Sequence, residues 1–325
     1  MTGLSDSFQR PINYLRISVT DRCNLRCVYC MPLHGIQLLP RSDMLTYEEI
    51  AAIARAAAEL GINKVRLTGG EPLVRSGLAT LVSMLSQVTG IDDISLTTNG
   101  VLLKRYAAEL KEAGLHRVNV SLDSLDSGRY QRITSFDRLA DVLGGIEAAK
   151  EVGLEPLKIN MVVIRGVNDD EVLAFARMTI EEGWHVRFIE PMPFKEDDAL
   201  QFVAPGELWE RLLTLGPLEP SLPSKGNGPA RYYRFPGAQG TVGFINALSE
   251  HFCFKCNRLR LTADGRLRPC LLSDDEIDIR GPLRQGASSE GLKRIIQQAV
   301  ARKPERHHLE TGAALKGRAM HQVGG

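Results

Sequence analysis

The feature that most constrains this chain is an alternation. From Tyr14 to about Pro193, short β-branched runs take turns with stretches of helical periodicity. Leu15–Val19, Lys64–Thr68, Asp93–Thr97, Arg117–Leu122, Leu157–Ile164 and His185–Glu190 read as strands. Helical patterns lie between them, near 46–60, 78–87, 103–113, 139–152 and 170–182. The first opens on a capping box of Thr46 with Glu49 and stops at Gly61 after Leu60. Strands separated by helices cannot join as tight hairpins, so they pair in parallel with the helices packed outside. An eight-unit barrel takes ~250 residues, more than this stretch offers. The expected fold is therefore α/β, a partial (β/α)6 barrel of TIM type over residues 1–204. A smaller α+β region follows over 205–325. The Pro/Gly-rich stretch Pro217–Gly228 reads as a linker or loop inside it.

Chemistry in such barrels sits at the C-terminal ends of the strands, and the notable residues fall there. The loop after the first strand holds Cys23, Cys27 and Cys30, and the loop after the second holds Gly69, Gly70, Glu71 and Pro72. Thr97 ends the third strand, Ser121 and Asp123 end the fourth, and Met192 follows the sixth. All six cysteines belong to two groups of three, the second being Cys253, Cys256 and Cys270. Met1–Gln9 is polar, without the apolar core of an export signal. Reduced thiols in a cytoplasmic protein are thus expected rather than disulfides. No apolar run approaches the roughly 18 residues of a membrane span. With 40 basic against 39 acidic residues the formal charge is +1, so a nucleic-acid partner is not expected.

Three thiolates on one short loop suit a four-iron cluster and leave one iron open. Zinc is the alternative, but structural zinc sites usually take four ligands with wider pair spacing. The Cys-x3-Cys-x2-Cys loop, with Tyr29 before its third cysteine, resembles the signature of the radical S-adenosylmethionine superfamily. Gly69–Pro72 is similar to that family's second signature. The resemblance implies a [4Fe-4S] cluster whose open iron chelates S-adenosylmethionine, and its reductive cleavage to a 5′-deoxyadenosyl radical by an external low-potential electron donor. Tyr29, Gly70, Ser121 and Met192 would contact S-adenosylmethionine. Glu71 can accept from its ammonium, and the glycines let backbone approach it.

The second group, with thirteen residues between Cys256 and Cys270, again offers three ligands. His251 could complete a zinc site, and that alternative stands beside a second [4Fe-4S] cluster. Arg258 and Arg260 between the ligands suit an anionic partner. Here the chain resembles the GTP 3′,8-cyclase family, the molybdenum cofactor biosynthesis protein A family. The likeness runs through Cys23–Pro32, Thr68–Leu73, Val120–Asp123, Asn160–Asp169, Phe188–Pro193, Gly228–Phe235, Cys256–Cys270 and the final Gly324–Gly325. Lys303, Pro304, His307 and His308 match a family stretch as well. Asn246–Ala247–Leu248 departs from the pattern, as does His251.

The resemblance implies GTP as substrate, its guanine on the open iron of the second cluster. The radical would take hydrogen from ribose C3′, and C3′ would then join C8. The final proton would come from an arginine, Arg258 or Arg260 being the candidates, or from water. The product would pass to cyclic pyranopterin monophosphate synthase, and the enzyme would be a monomer or homodimer. A triphosphate needs cations, and no P-loop motif is present. Arg16, Lys64, Arg66, Lys158 and Arg187 sit in strands where apolar residues are the rule, and burying them without an anion would be costly. By resemblance Arg16, Arg66, Thr97, Lys158, Arg258, Leu259 and Arg260 contact GTP, and Gly324 and Gly325 reach into the site. Another radical enzyme, acting on peptide or RNA, and a non-enzymatic zinc protein are the rival readings.

Overall fold

The computed structural model describes residues 3–31, 38–194, 201–222, 226–307 and 317–324. Pro32, His308 and Gly325 lie outside these residues, as does part of the Pro217–Gly228 stretch.

Six parallel strands form where the β-branched runs are: β1 (Tyr14–Ser18), β2 (Lys64–Thr68), β3 (Asp93–Thr98), β4 (Arg117–Ser121), β5 (Lys158–Val162) and β6 (His185–Ile189). Helices α1 (Tyr47–Glu59), α2 (Leu78–Ser86), α3 (Leu103–Glu112), α4 (Ser127–Thr134), α5 (Leu139–Glu151) and α6 (Val172–Glu181) make the crossovers. The Thr46–Glu49 capping box is present, each side chain taking the other's backbone N–H. The short α4, which periodicity does not announce, starts on an Asp126 side-chain cap.

The later region does not fold apart from this sheet. It adds α7 (Pro205–Leu213), β7 (Glu219–Ser221), β8 (Arg231–Arg234), β9 (Thr241–Ile245), β10 (Arg258–Leu261), β11 (Arg266–Arg268), β12 (Ile277–Asp278), α8 (Arg280–Arg284), α9 (Ser289–Ala301) and α10 (Met320–Val323). The twelve strands form one sheet in the order β12-β11-β10-β1-β2-β3-β4-β5-β6-β9-β8-β7. β10 pairs in parallel with β1, and β9 in parallel with β6. The six-unit barrel is thus extended by one parallel strand at each edge, and antiparallel strands finish the rims. The Pro217–Gly228 stretch is not purely a linker, since β7 lies within it.

The strands alternate between two environments. Leu15, Ile17, Val65, Leu67, Ile94, Leu96, Val118, Val120, Ile159, Met161, Val186 and Phe188 pack outward beneath the helices as one continuous core. The inward positions are polar. No helix among the described residues is long and apolar enough to cross a membrane.

Candidate functional site

The polar inward faces enclose a cavity of about 1220 Å³, its mouth included. Its lining holds eight cationic side chains, Arg16, Arg66, Arg117, Lys158, Arg187, Arg258, Arg260 and Lys303, and no carboxylate among the described residues. Strand register explains the crowding. Arg260 on β10, Arg16 on β1 and Arg66 on β2 stand side by side across three strands. Asn119 and Lys158 are neighbours on β4 and β5, as are Asn160 and Arg187 on β5 and β6. Gly243 on β9 makes room for this, because a Cβ there would stand 3.0 Å from the Tyr232 ring and 3.1 Å from Arg187 Cγ.

The cations perturb one another. Burial and the charges of Arg187, Arg117 and Arg66 push the Lys158 ammonium down to about 6. Burial and Arg258 push Arg260 down to about 9. Burial and Arg260 hold Arg16 well below its ordinary range. Burial opposes ionisation of Tyr14, yet Arg66, Arg16 and Arg117 bring its phenol down to about 8. Arg66 donates to Tyr14 and, at 3.2 Å, to Thr97 Oγ1. Arg187 Nε and Nη2 and the amide oxygens of Asn119 and Asn160 are buried and lack a hydrogen-bond partner among the described residues. A cation-rich, acid-free chamber with unspent donors is shaped for a polyanion.

One end of the cavity is lined by Cys253, Cys256 and Cys270, with Phe252, Pro269, Leu271, Leu272 and Ala247. Burial opposes the Cys256 thiolate, but Arg258 and Lys303 outweigh it and bring the thiol down to about 6. Arg258 Nη2 lies 3.5 Å from Cys256 Sγ. The departure at Asn246–Leu248 leaves a well-held loop, since the Glu190 carboxylate accepts from the backbone amides of Leu248 and Ser249 at 2.8 and 3.1 Å. His251 meets His307 edge-on at 5.9 Å. Three half-buried thiols facing cations fit an iron–sulfur cluster, whose thiolates need charge compensation.

The first group, on the loop after β1, is likewise half-buried. Burial pushes the Cys23 thiol up to about 11, and burial with the neighbouring Cys30 pushes Cys27 well up. Thiols this reluctant to ionise fit a site where the metal supplies the positive charge. Tyr29 Oη donates to Asp123 Oδ2 at 2.7 Å, while Asp123 Oδ1 accepts from Val162 N at 2.8 Å, so the loop is tied to the ends of β4 and β5.

Several expected residues are used differently. A Cβ on Gly69 would stand 2.5 Å from Thr20 O, and one on Gly70 2.4 Å from Arg22 O. Both glycines therefore let the cysteine loop's own backbone pass close by. The carboxylate of Glu71 is fully buried and accepts from Leu73 N, Thr98 Oγ1 and Asn99 N at 3.0, 2.8 and 2.6 Å. It pins β2 to β3 and is not open to an ammonium. Leu259 points into the outer core, because alternation along β10 puts only Arg258 and Arg260 inward. Lys64, at the start of β2, does not line the cavity.

Ser121 lies at the end of β4 and Met192 on the cavity wall. Gly324 reaches one of the lining cations: its carbonyl accepts from Arg260 Nη1 at 2.6 Å. Sequence reasoning missed Tyr14, Arg117, Asn119, Asn160, Tyr232 and the stretch Gly226–Pro229, all on the cavity wall. The two-residue spacing of Arg117 and Asn119 to the expected Ser121, and of Asn160 to the expected Lys158, is the signal that could have found three of them.

Comparison with known proteins agrees with this geometry. Residues 17–179 match the Radical SAM superfamily and residues 184–309 match Molybdenum Cofactor Synthesis C. The chain is 54% identical to the GTP 3′,8-cyclase of Pelotomaculum thermopropionicum, over 99% of this chain and 100% of that protein. It is 53% identical to the GTP 3′,8-cyclase of Moorella thermoacetica over the same shares. In fold it is similar to the crystal structure of Streptococcus suis SuiB bound to S-adenosylmethionine, with a TM-score of 0.60 and 16% identity, over 82% of this chain and 63% of that one. A matched radical-SAM barrel, a matched cofactor-synthesis region and full-length relatives above half identity lead to one conclusion: the chain belongs to the GTP 3′,8-cyclase family within the radical S-adenosylmethionine superfamily.

Proposed function

We propose that this chain cyclises GTP between C3′ and C8, the first step of molybdenum cofactor biosynthesis, using S-adenosylmethionine and two [4Fe-4S] clusters, on Cys23, Cys27 and Cys30 and on Cys253, Cys256 and Cys270. The observation that carries the substrate is the acid-free cavity with eight cations that ends on the second cysteine group. When bound, the first cluster supplies the electron that cleaves S-adenosylmethionine and so starts the radical chemistry.

The chain's own residues do the rest. The row Arg260–Arg16–Arg66, with Lys158 and Arg187 across the lumen, grips the triphosphate through forked and single-point donors. Lys158 Nζ, largely neutral near pH 7 while the cavity is empty, takes a proton as the phosphates arrive. Phosphates held among these cations leave the base directed toward Cys253, Cys256 and Cys270. Tyr14, Tyr232 and Gly226–Pro229 line the lumen beside the cations, and Gly324 sits against Thr68 and Ser18 at the ends of β2 and β1. Walls of this kind keep water from a reactive intermediate. Tyr29, Gly70, Ser121 and Met192 face the S-adenosylmethionine side. An external low-potential donor, hand-over to cyclic pyranopterin monophosphate synthase, and a cytoplasmic monomer or homodimer without nucleic-acid or membrane partners complete the reading.

The test is reconstituted protein with GTP, S-adenosylmethionine and dithionite, without air. Production of 5′-deoxyadenosine should depend on GTP and be matched by a cyclised triphosphate. Equal 5′-deoxyadenosine with ATP or UTP, and no cyclised product, would defeat the proposal.

A further inference from the structure

The second cysteine group is borne on two arms that the sheet does not join at their level. Cys253 and Cys256 lie on the turn before β10, and Cys270 follows β11. β10 and β11 pair at Leu261–Leu267 and Arg260–Arg268, and the register goes no further toward the cysteines. The hairpin is open where Cys256 and Cys270 stand.

One buried cation closes it, and a second ties the closing strap to the Cys253 arm. Lys303 Nζ donates to Arg258 O at 2.9 Å and to Pro269 O at 2.7 Å, spanning the two arms just past the last ladder pair. Arg10 Nη1 donates to Cys253 O and Glu305 O, each at 2.7 Å, and Arg10 Nη2 to Pro304 O at 2.6 Å. Asp6 aims that guanidinium, its Oδ2 accepting from Arg10 Nε at 2.6 Å and its Oδ1 from the amides of Phe8 and Arg10. The strap 303–307 is fixed at its far end by His307, whose Nε2 lies 3.0 Å from Ala247 O. Arg10, Asp6 and Lys303 are all buried. A buried ammonium spent on bridging two carbonyls is costly to place. Here it closes a gap in the ladder and sets a positive charge near Cys256.

We propose that Lys303 and Arg10 are positioning residues for the second cluster: they hold the arms bearing Cys253, Cys256 and Cys270 at a cluster-accepting separation before iron arrives. The inference rests on the cluster assignment of that cysteine group. It acts through outer partners that orient metal ligands, a contribution typically of 10–100-fold in metal affinity.

The test uses the full chain. Lys303→Met, Lys303→Arg, Arg10→Leu and Cys256→Ala are reconstituted anaerobically, and iron per chain is measured. Loss of the second cluster to a dilute chelator is timed, and amide exchange at 255–258 and 270–272 is followed in the metal-free protein. Wild type should hold about eight irons and Cys256→Ala about four, one four-iron cube fewer. Lys303→Met and Arg10→Leu should lose the second cluster at least tenfold faster and exchange those amides at least tenfold faster. Lys303→Arg should recover most of both, and the first cluster should stay. Should Lys303→Met fail to fold, shown by loss of both clusters, Arg10→Lys keeps the charge, drops part of the fork and carries the same comparison. Eight irons held by Lys303→Met and Arg10→Leu at wild-type rates, with unchanged exchange, would overturn the clamp alone. Wild type with about four irons, unaltered in Cys256→Ala, would overturn the cluster assignment and the clamp together.

Discussion

The two cysteine groups offer the same three ligands in opposite settings. The first is local: one loop, eight residues from Cys23 to Cys30, anchored by Arg26 N to Thr134 O, Val28 N to Ile133 O, and Gly70 N and Glu71 N to the carbonyls of Thr20 and Arg22. Burial raises Cys23 to about 11. The second is assembled from distant segments and faces cations that bring Cys256 down to about 6. A loop whose thiols are governed chiefly by burial can serve any radical enzyme. A site whose charge is supplied by the substrate chamber serves an anionic substrate. The difference places generality in the first group and substrate choice in the second.

The largest effects should come from splitting that pair. Cys23→Ala should abolish 5′-deoxyadenosine formation altogether. Cys256→Ala should leave uncoupled S-adenosylmethionine cleavage measurable while cyclised product disappears, both read by chromatography of one anaerobic reaction. Equal loss of 5′-deoxyadenosine in the two variants would erase the division of labour. Next come the chamber cations. Arg260→Ala removes a charged donor with no acid beside it in the cavity, which at about 1.5–3 kcal/mol per charged hydrogen bond weakens GTP binding about 10–100-fold. Arg117→Ala should do less, because Asp93 already accepts from Arg117 at 2.5 and 3.1 Å. Titration calorimetry of the two variants decides the ranking, and an Arg117 effect larger than that of Arg260 would reverse it.

The same contrast explains what could be read in the sequence. The first group was legible because its ligands, its aromatic residue and its strand are contiguous. The six strands were legible because their outward residues are apolar at period two, most of them β-branched or leucine. The added parallel strands β9 and β10 were not, since a short run such as Arg258–Leu261 alternates cation with leucine and its partner β1 lies over two hundred residues away. Glu71 was misread for a related reason. A carboxylate in a loop beside a cofactor motif looks available, and only the approach of Thr98 and Asn99 at the end of β3 shows that it is buried and already hydrogen-bonded. Lys64 and Arg66 share a strand face, yet position along β2 decides that only Arg66 lines the chamber.

Lys158 sharpens the chamber side through pH. Its folded pKa, about 6 against an ordinary 10.5, means that between those values the unfolded chain holds a proton the native chain lacks. Stability of the empty protein therefore rises with pH across that window. Lys158→Met should raise the melting temperature of the empty protein, most clearly near pH 6, and flatten this rise. It should also weaken GTP binding about tenfold and remove the proton uptake expected when wild type binds GTP near pH 7–8. Calorimetry in buffers of different ionisation enthalpy measures that uptake, and its persistence in Lys158→Met would assign it to another group.

The smallest effect concerns the tail, which touches both halves. Gly324 has φ +69°, and a Cβ there would stand 2.5 Å from Thr68 Cγ2. Alanine in that conformation costs about 1–2 kcal/mol, and the methyl contact adds to it. The carbonyl that Arg260 holds would then leave its place. Gly324→Ala should slow cyclisation several-fold at saturating GTP while both clusters stay loaded. Thr68→Ser, which removes the Cγ2 methyl, should restore part of that loss in the double variant and leave the backbone share unrecovered. A Gly324→Ala enzyme turning over at the wild-type rate would mean that the tail does not sit among the strand ends during catalysis, and that Arg260 answers to the substrate alone.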